Sequence, residues 1–153
     1  MVESPSFKQG VAKGQFYRAT AIRRKWRQAL ALHLDTNTNH KLFTGHGEGY
    51  VSVNGRHYRQ SVVVMAENVL TDWAASDFFN LNETHFDYFL ALKPEVLLFG
   101  TGSKQHFAHP NLYRELIRAR ISIEFMDTPA ACRTYNILVA EDRQVFAAVL
   151  INS

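Results

Sequence analysis

The 153 residues predict an α/β domain in which a β-meander is followed by helices alternating with strands around a central sheet. Three observations carry that expectation. Short runs of β-branched and aromatic residues separated by glycines fill positions 41–65, and Asn54-Gly55 between two of them is a two-residue hairpin signal, because both positions tolerate positive φ. After Trp73 the apolar residues recur at helical spacing. That pattern is interrupted by the apolar run Val96–Phe99 and by Ile121–Met126, strands of the kind that helices cover on both faces.

The meander is read from Lys41–Thr44, Tyr50–Val53, Arg56–Tyr58 and Val62–Met65, the last a continuous apolar run expected to be covered on both faces. Asn82 is placed to cap a helix in which Glu83 favours the positive end and Phe86, Phe89 and Leu90 form the buried stripe, until Pro94 stops it. After the strand Val96–Phe99, Pro110 opens a helix with Leu112, Leu116 and Ile117 on its inner face. Strand Ile121–Met126 follows. Asp127 or Thr128 caps a third helix, with Pro129 in its first turn, running to about Val139 before the closing strand Val145–Ile151.

Composition bounds the function classes. Hydrophobic residues at 46% against 20% charged give a globular balance, and no apolar run approaches the ~20 residues of a membrane-spanning helix. Cys132 is the only cysteine, so no intrachain disulfide and no paired-thiol metal site is available, which fits a reducing compartment. The net charge of +3 is concentrated at the start, where Lys8, Lys13, Arg18, Arg23, Arg24, Lys25 and Arg27 face Glu3 alone. The remainder is mildly acidic, and specific nucleic-acid binding is not expected of it.

Residues 1–32 read as a basic N-terminal extension, partly disordered, ahead of a domain at 33–153. Within it, Ile22, Trp26 and Leu30 recur at helical spacing among arginines. The stretch is Arg-rich and acid-poor, as a transit peptide would be, but it reads first as a partly disordered or weakly packed extension, with targeting or membrane contact the alternative.

Two constellations could carry chemistry. Gly100-Thr101-Gly102 ends a strand, where glycines permit close approach of a ligand to the backbone, but Gln105 stands where a dinucleotide fingerprint needs its third glycine. Asp127, Thr128, Cys132, Arg133 and Asn136 lie in the first turns of a helix, whose free N–H groups and dipole favour anions. If the strands before them run parallel, both constellations share one sheet edge, with Arg133 the anion contact. Cys132 as a nucleophile would need His106 or His109 as base, and the packing reading of the Ala130-Ala131-Cys132 run competes with it. His106 and His109 lack ligand-spaced partners, so no metal and no cofactor is expected.

With those residues laid out, the chain from His33 to Ile151 resembles the Mth-type domain family, which includes complex I assembly factor 3 and the adipogenesis-associated Mth-domain protein. The resemblance rests on Gly47-Glu48-Gly49-Tyr50 followed by Val53-Asn54-Gly55, on Pro94 through Gly102, and on Met126-Asp127-Thr128 leading to Ala130-Ala131-Cys132-Arg133-Thr134-Tyr135-Asn136. The bacterial branch is the most similar. The resemblance implies a three-layer fold around a central mixed sheet, no known catalytic residue to carry over, and action through protein contacts in assembling a membrane respiratory enzyme.

The expectation is therefore a non-enzymatic binding or assembly-type protein with a protein partner, in the bacterial cytoplasm, or in the mitochondrial matrix if the basic segment is a transit peptide. The alternative is a small-anion binder or enzyme using Gly100, Thr101 and Gly102 together with Asp127, Thr128, Cys132, Arg133 and Asn136.

Overall fold

The structure, a computed structural model, describes residues 39–151. The expectations for the N-terminal extension, and the exact start of the domain, lie outside those residues.

The described residues form eight strands in two sheets. Strands β1 (Phe43–Gly47), β2 (Tyr50–Val53) and β3 (Arg56–Tyr58) make the expected antiparallel meander. Its second turn is Asn54-Gly55, with φ of 49° and 86°, so the hairpin signal in the sequence is realised by two left-handed residues. Strand β4 (Val62–Val64) then leaves the meander and pairs with β5 (Val69–Leu70), a short strand that the sequence pattern does not announce. With β6 (Val96–Gly100), β7 (Ser122–Met126) and β8 (Val145–Val149) these build a five-stranded mixed sheet in the order β5-β4-β8-β6-β7. Strand β6 runs parallel to both β7 and β8, while β4 is antiparallel to β8.

The two-residue period of a strand divides the interior into two layers. Val96 and Leu98 face the meander and helix α3 (Thr128–Ala140), whereas Leu97 and Phe99 face α1 (Glu83–Asp87) and α2 (Arg114–Arg118). The expected three-layer arrangement follows, with the apolar β4 and β6 covered on both sides.

The helices over the second face are shorter than the periodicity predicts. Helix α1 ends at Asp87 because the next amides bond three residues back, Phe89 to Phe86 and Leu90 to Asp87, tightening the chain into turns before Lys93 enters positive φ. The helix expected from Pro110 begins as a 3₁₀ turn, Pro110–Tyr113, with His109 as its cap. Ile117 does not join the inner face: in the short α2 only Leu116 turns fully to the sheet, and Ile117, one residue further round, is 53% exposed.

Helix α1 is fastened by its expected cap and by one partner the pattern does not show. The Asn82 side chain accepts from the amides of Thr84 and His85, and His85 Nδ1 accepts from the Asn82 amide at 3.1 Å, closing a reciprocal box. Nδ1 can accept only while unprotonated, and burial lowers the His85 pKa from 6.5. The unfolded chain therefore binds a proton that the folded chain resists. The contribution is complete above pH 6.5 and is lost progressively as pH falls through the depressed folded value. Melting temperature scanned from pH 8 to 5 is expected to drop, and His85→Gln, which keeps an acceptor without a titration, should flatten that drop.

Candidate functional site

Because β6 and β7 are parallel, Gly100-Thr101-Gly102 and the start of α3 do meet at one sheet edge, as the sequence reading requires. What they do there is hold each other. A Cβ at Gly100 would lie 2.9 Å from Thr128 Oγ1 and 3.0 Å from Val149 Cγ1, so this glycine lets α3 seat on the end of β6. Thr128 Oγ1 donates to the Leu150 carbonyl at 2.8 Å and accepts from the Gly102 amide at 2.9 Å, while the Thr128 amide donates to the Gly102 carbonyl. Gly102 has φ 103°, which a side chain rarely tolerates. Thr101, fully buried, donates through its hydroxyl to the Lys104 carbonyl at 2.6 Å and accepts from the His106 amide, closing the loop on itself.

The sequence reading expects unpaired N–H groups at the start of α3, and the structure corrects it. Asp127 caps the helix by accepting from Ala130 at 2.8 Å, Ala131 donates to the Asp127 carbonyl, Thr128 is taken by Gly102, and Pro129 has no N–H. An anion approaching this turn finds its donors engaged.

The remaining candidates diverge along α3. Cys132 is 2% exposed among the residues facing the meander, and burial pushes its thiol up to about 12, despite the opposing pull of Arg133. Native protein is accordingly expected to resist alkylation at pH 8 and to react stoichiometrically once unfolded, as a thiol titration with and without denaturant would show. Arg133, the next residue, is exposed. Asn136 reaches the meander: its Oδ1 accepts from the Phe43 amide at 2.9 Å and its Nδ2 donates to the Phe43 carbonyl at 2.8 Å, as a neighbouring strand would. Tyr135 acts beside it, donating to the Lys41 carbonyl at 2.9 Å. Asn136→Ala should lower stability by about 1–3 kcal/mol in denaturant unfolding, since it strips both partners from one backbone residue.

The two loop histidines are engaged locally. His106 stacks on Phe78 with centroids 4.9 Å apart, and His109 Nδ1 accepts from Asn111. No group of three or more metal-ligating side chains occurs among the described residues. Among the acidic residues between Asp72 and Asp87, Asp77 caps the 3₁₀ turn Phe78–Asn80, and Asp72 accepts from the Tyr88 hydroxyl at 2.6 Å.

Two surface features were not legible beforehand. A cleft of about 370 Å³ opens between the β1–β2 hairpin and the α3 start, with His46, Glu48, Tyr50, Ser103, Thr128 and Pro129 on its walls. Phe79 is 78% and Phe107 72% exposed, and the ring of His106, the residue before Phe107, lies 5.2 Å from that of Phe79. Nothing in the spacing of Phe78-Phe79 distinguished the exposed ring from a core residue.

A two-sheet α/β fold with an internally bonded strand-end loop and exposed aromatic rings defines the class. The chain belongs to the family described as a protein of unknown function (DUF498/DUF598), whose pattern it matches over residues 43–150. It is 31% identical over 109 residues to the 13 kDa major membrane protein of Francisella tularensis, covering 71% of this chain and 89% of that one. It is 28% identical over 142 residues to bovine NADH dehydrogenase [ubiquinone] 1 alpha subcomplex assembly factor 3, covering 91% and 72%. Among solved structures, a Bordetella parapertussis protein matches with a TM-score of 0.70 at 36% identity, covering 74% of this chain and 98% of that one. A Bordetella pertussis protein described as an Mth938-like domain matches at 0.64 and 29%, covering 74% and 87%. No helix among the described residues is long and apolar enough to cross a membrane.

Proposed function

We propose that the chain is an assembly-factor-like protein that works by binding other proteins, without catalysis of its own, in the assembly of a respiratory complex. The observation that carries this reading is the exposure of Phe79 and Phe107 around His106, on a rim whose polar groups are bonded inward. Two rings held open by a packed scaffold offer apolar area without an ordering cost, which is what a protein contact uses. The relationship to assembly factor 3 supports it. A site of action in the bacterial cytoplasm fits a single, buried cysteine.

The test is capture of partners from a bacterial membrane and soluble lysate by the tagged full chain. Phe79→Ser and Phe107→Ser should each leave the melting temperature within about 2 °C, because exposed rings contribute little to the fold. The double variant should lose at least tenfold of the captured partner. Full retention by the double variant would remove this rim from the reading.

The cleft beside Gly102 and Thr128 favours a second reading, a small ligand held between hairpin and helix. In that case Gly102, Ser103, Thr128 and Pro129 shape one wall, and shifts of the Glu48 and Ser103 amides on adding inorganic phosphate or a dicarboxylate would report it.

A further inference from the structure

Strand β7 ends the five-stranded sheet, and its backbone shows which groups are left for a partner. The Ser122 amide donates to the Glu95 carbonyl, and the Met126 carbonyl accepts from the Thr101 amide at 2.8 Å. In a parallel pair each residue presents its N–H and C=O to the same side, and the side alternates along the strand. Ser122, Glu124 and Met126 therefore bond to β6, and Ile123 and Phe125 turn both of their backbone groups outward. One of those four groups is covered: Gln105 Nε2 donates to the Phe125 carbonyl at 3.0 Å, in the position that the N–H of an added strand would take. The Ile123 N–H and C=O and the Phe125 N–H have no partner among the described residues.

The side chains give this edge two different faces. Glu124 is exposed on the side of α3, the one charged residue of β7. On the opposite side Ile123 and Phe125 belong to the layer of α1 and α2, and exposed Phe107 lies against Phe125 with ring centroids 6.4 Å apart. An extended segment laid along β7 would present its alternate residues to a carboxylate on one side and to an aromatic ring on the other.

We propose that the β7 edge is a strand-addition site, which accepts an extended segment of a partner protein with a Lys or Arg facing Glu124 and an apolar residue facing Phe107. The partner supplies main-chain hydrogen bonds to Ile123 and Phe125, and its amide displaces the Gln105 side chain. A second copy of this chain is the poorer occupant. Antiparallel pairing of β7 with itself about Glu124 would set two carboxylates directly opposite, which is destabilising, whereas a basic residue there is favourable. This rests on the protein-binding reading above, names the chemistry of its partner, and places Phe107 in the same contact.

The experiment uses the full chain and two probes, acetyl-(Val-Lys)4-amide and acetyl-(Val-Glu)4-amide, with amide exchange and binding followed by NMR and anisotropy. In the free protein the Ile123 and Phe125 amides should exchange at least tenfold faster than those of Glu124 and Met126. The Lys peptide should slow both of them, and the Glu peptide should bind at least tenfold more weakly. Ile123→Pro removes the outward N–H and should abolish binding. Since that change also touches packed apolar surface, Glu124→Arg serves as the second variant and should reverse the preference between the peptides.

Slow exchange at Ile123 and Phe125 in the free chain would mean that the edge is already covered and would overturn the proposal. So would a Lys peptide whose protection maps to Asp77, Glu83 and Asp87, or self-association in sedimentation that Ile123→Pro abolishes. If Ile123→Pro folds and still captures the lysate partner that the Phe79 and Phe107 double variant loses, the protein-binding reading stands and the strand-addition site falls.

Discussion

Phe99→Ala is expected to cost about 3–5 kcal/mol, the range for removing a buried aromatic ring from a packed interior. Phe99 is fully buried at the middle of the layer beneath α1 and α2, and its ring meets those of Trp73, Phe86 and Phe125 at centroid distances of 5.2–5.5 Å. These neighbours come from separate elements, so none can collapse into the void without moving a strand or a helix. The loss should appear in chemical denaturation as a lower midpoint with an unchanged slope. An effect below about 1 kcal/mol would mean that the ring cluster is looser than these contacts describe.

Thr128→Val should cost about 2–4 kcal/mol although it preserves shape, because it leaves two backbone groups without partners. The hydroxyl joins the Gly102 amide to the Leu150 carbonyl and is itself 7% exposed, so water cannot readily replace it. Thr128→Ser keeps that hydroxyl and should recover most of the stability. The pair of variants separates hydrogen bonding from packing at the strand-end loop, and it is read by denaturant unfolding together with the exchange rate of the Gly102 amide. Rapid exchange at Gly102 in the Val variant alone is the expected signature.

Much of the scaffold was legible because its signals are local. Asn54-Gly55 names its own turn, Asp127 followed by Pro129 names its own helix start, and Val96–Phe99 could hardly be anything but a strand covered on both faces. The parts that were not legible depend on residues far apart in the chain. Nothing near Val62 says that it will pair with Val149 rather than continue the meander, and nothing near Asn136 reveals that its amide completes the backbone of Phe43, 93 residues earlier. The site residues show the same division. Sequence spacing brought Gly102 and Thr128 to one edge, but whether their donors stay free is decided by Leu150 and Asp127, which the spacing of a glycine loop does not contain. Phe79 and Phe107 were missed because exposure of a single aromatic has no period.

The position of β8 has a consequence for biosynthesis. The strand between β4 and β6 is the latest in sequence of the five, so every other strand of the large sheet is made before the one that joins them. Until Val145–Val149 emerges, the nascent chain holds two separate fragments, β4 with β5 and β6 with β7, each with an apolar edge waiting for the same missing strand. Such edges are templates for pairing with other chains. Truncation just before Val145 should therefore yield aggregation rather than a slightly weaker fold.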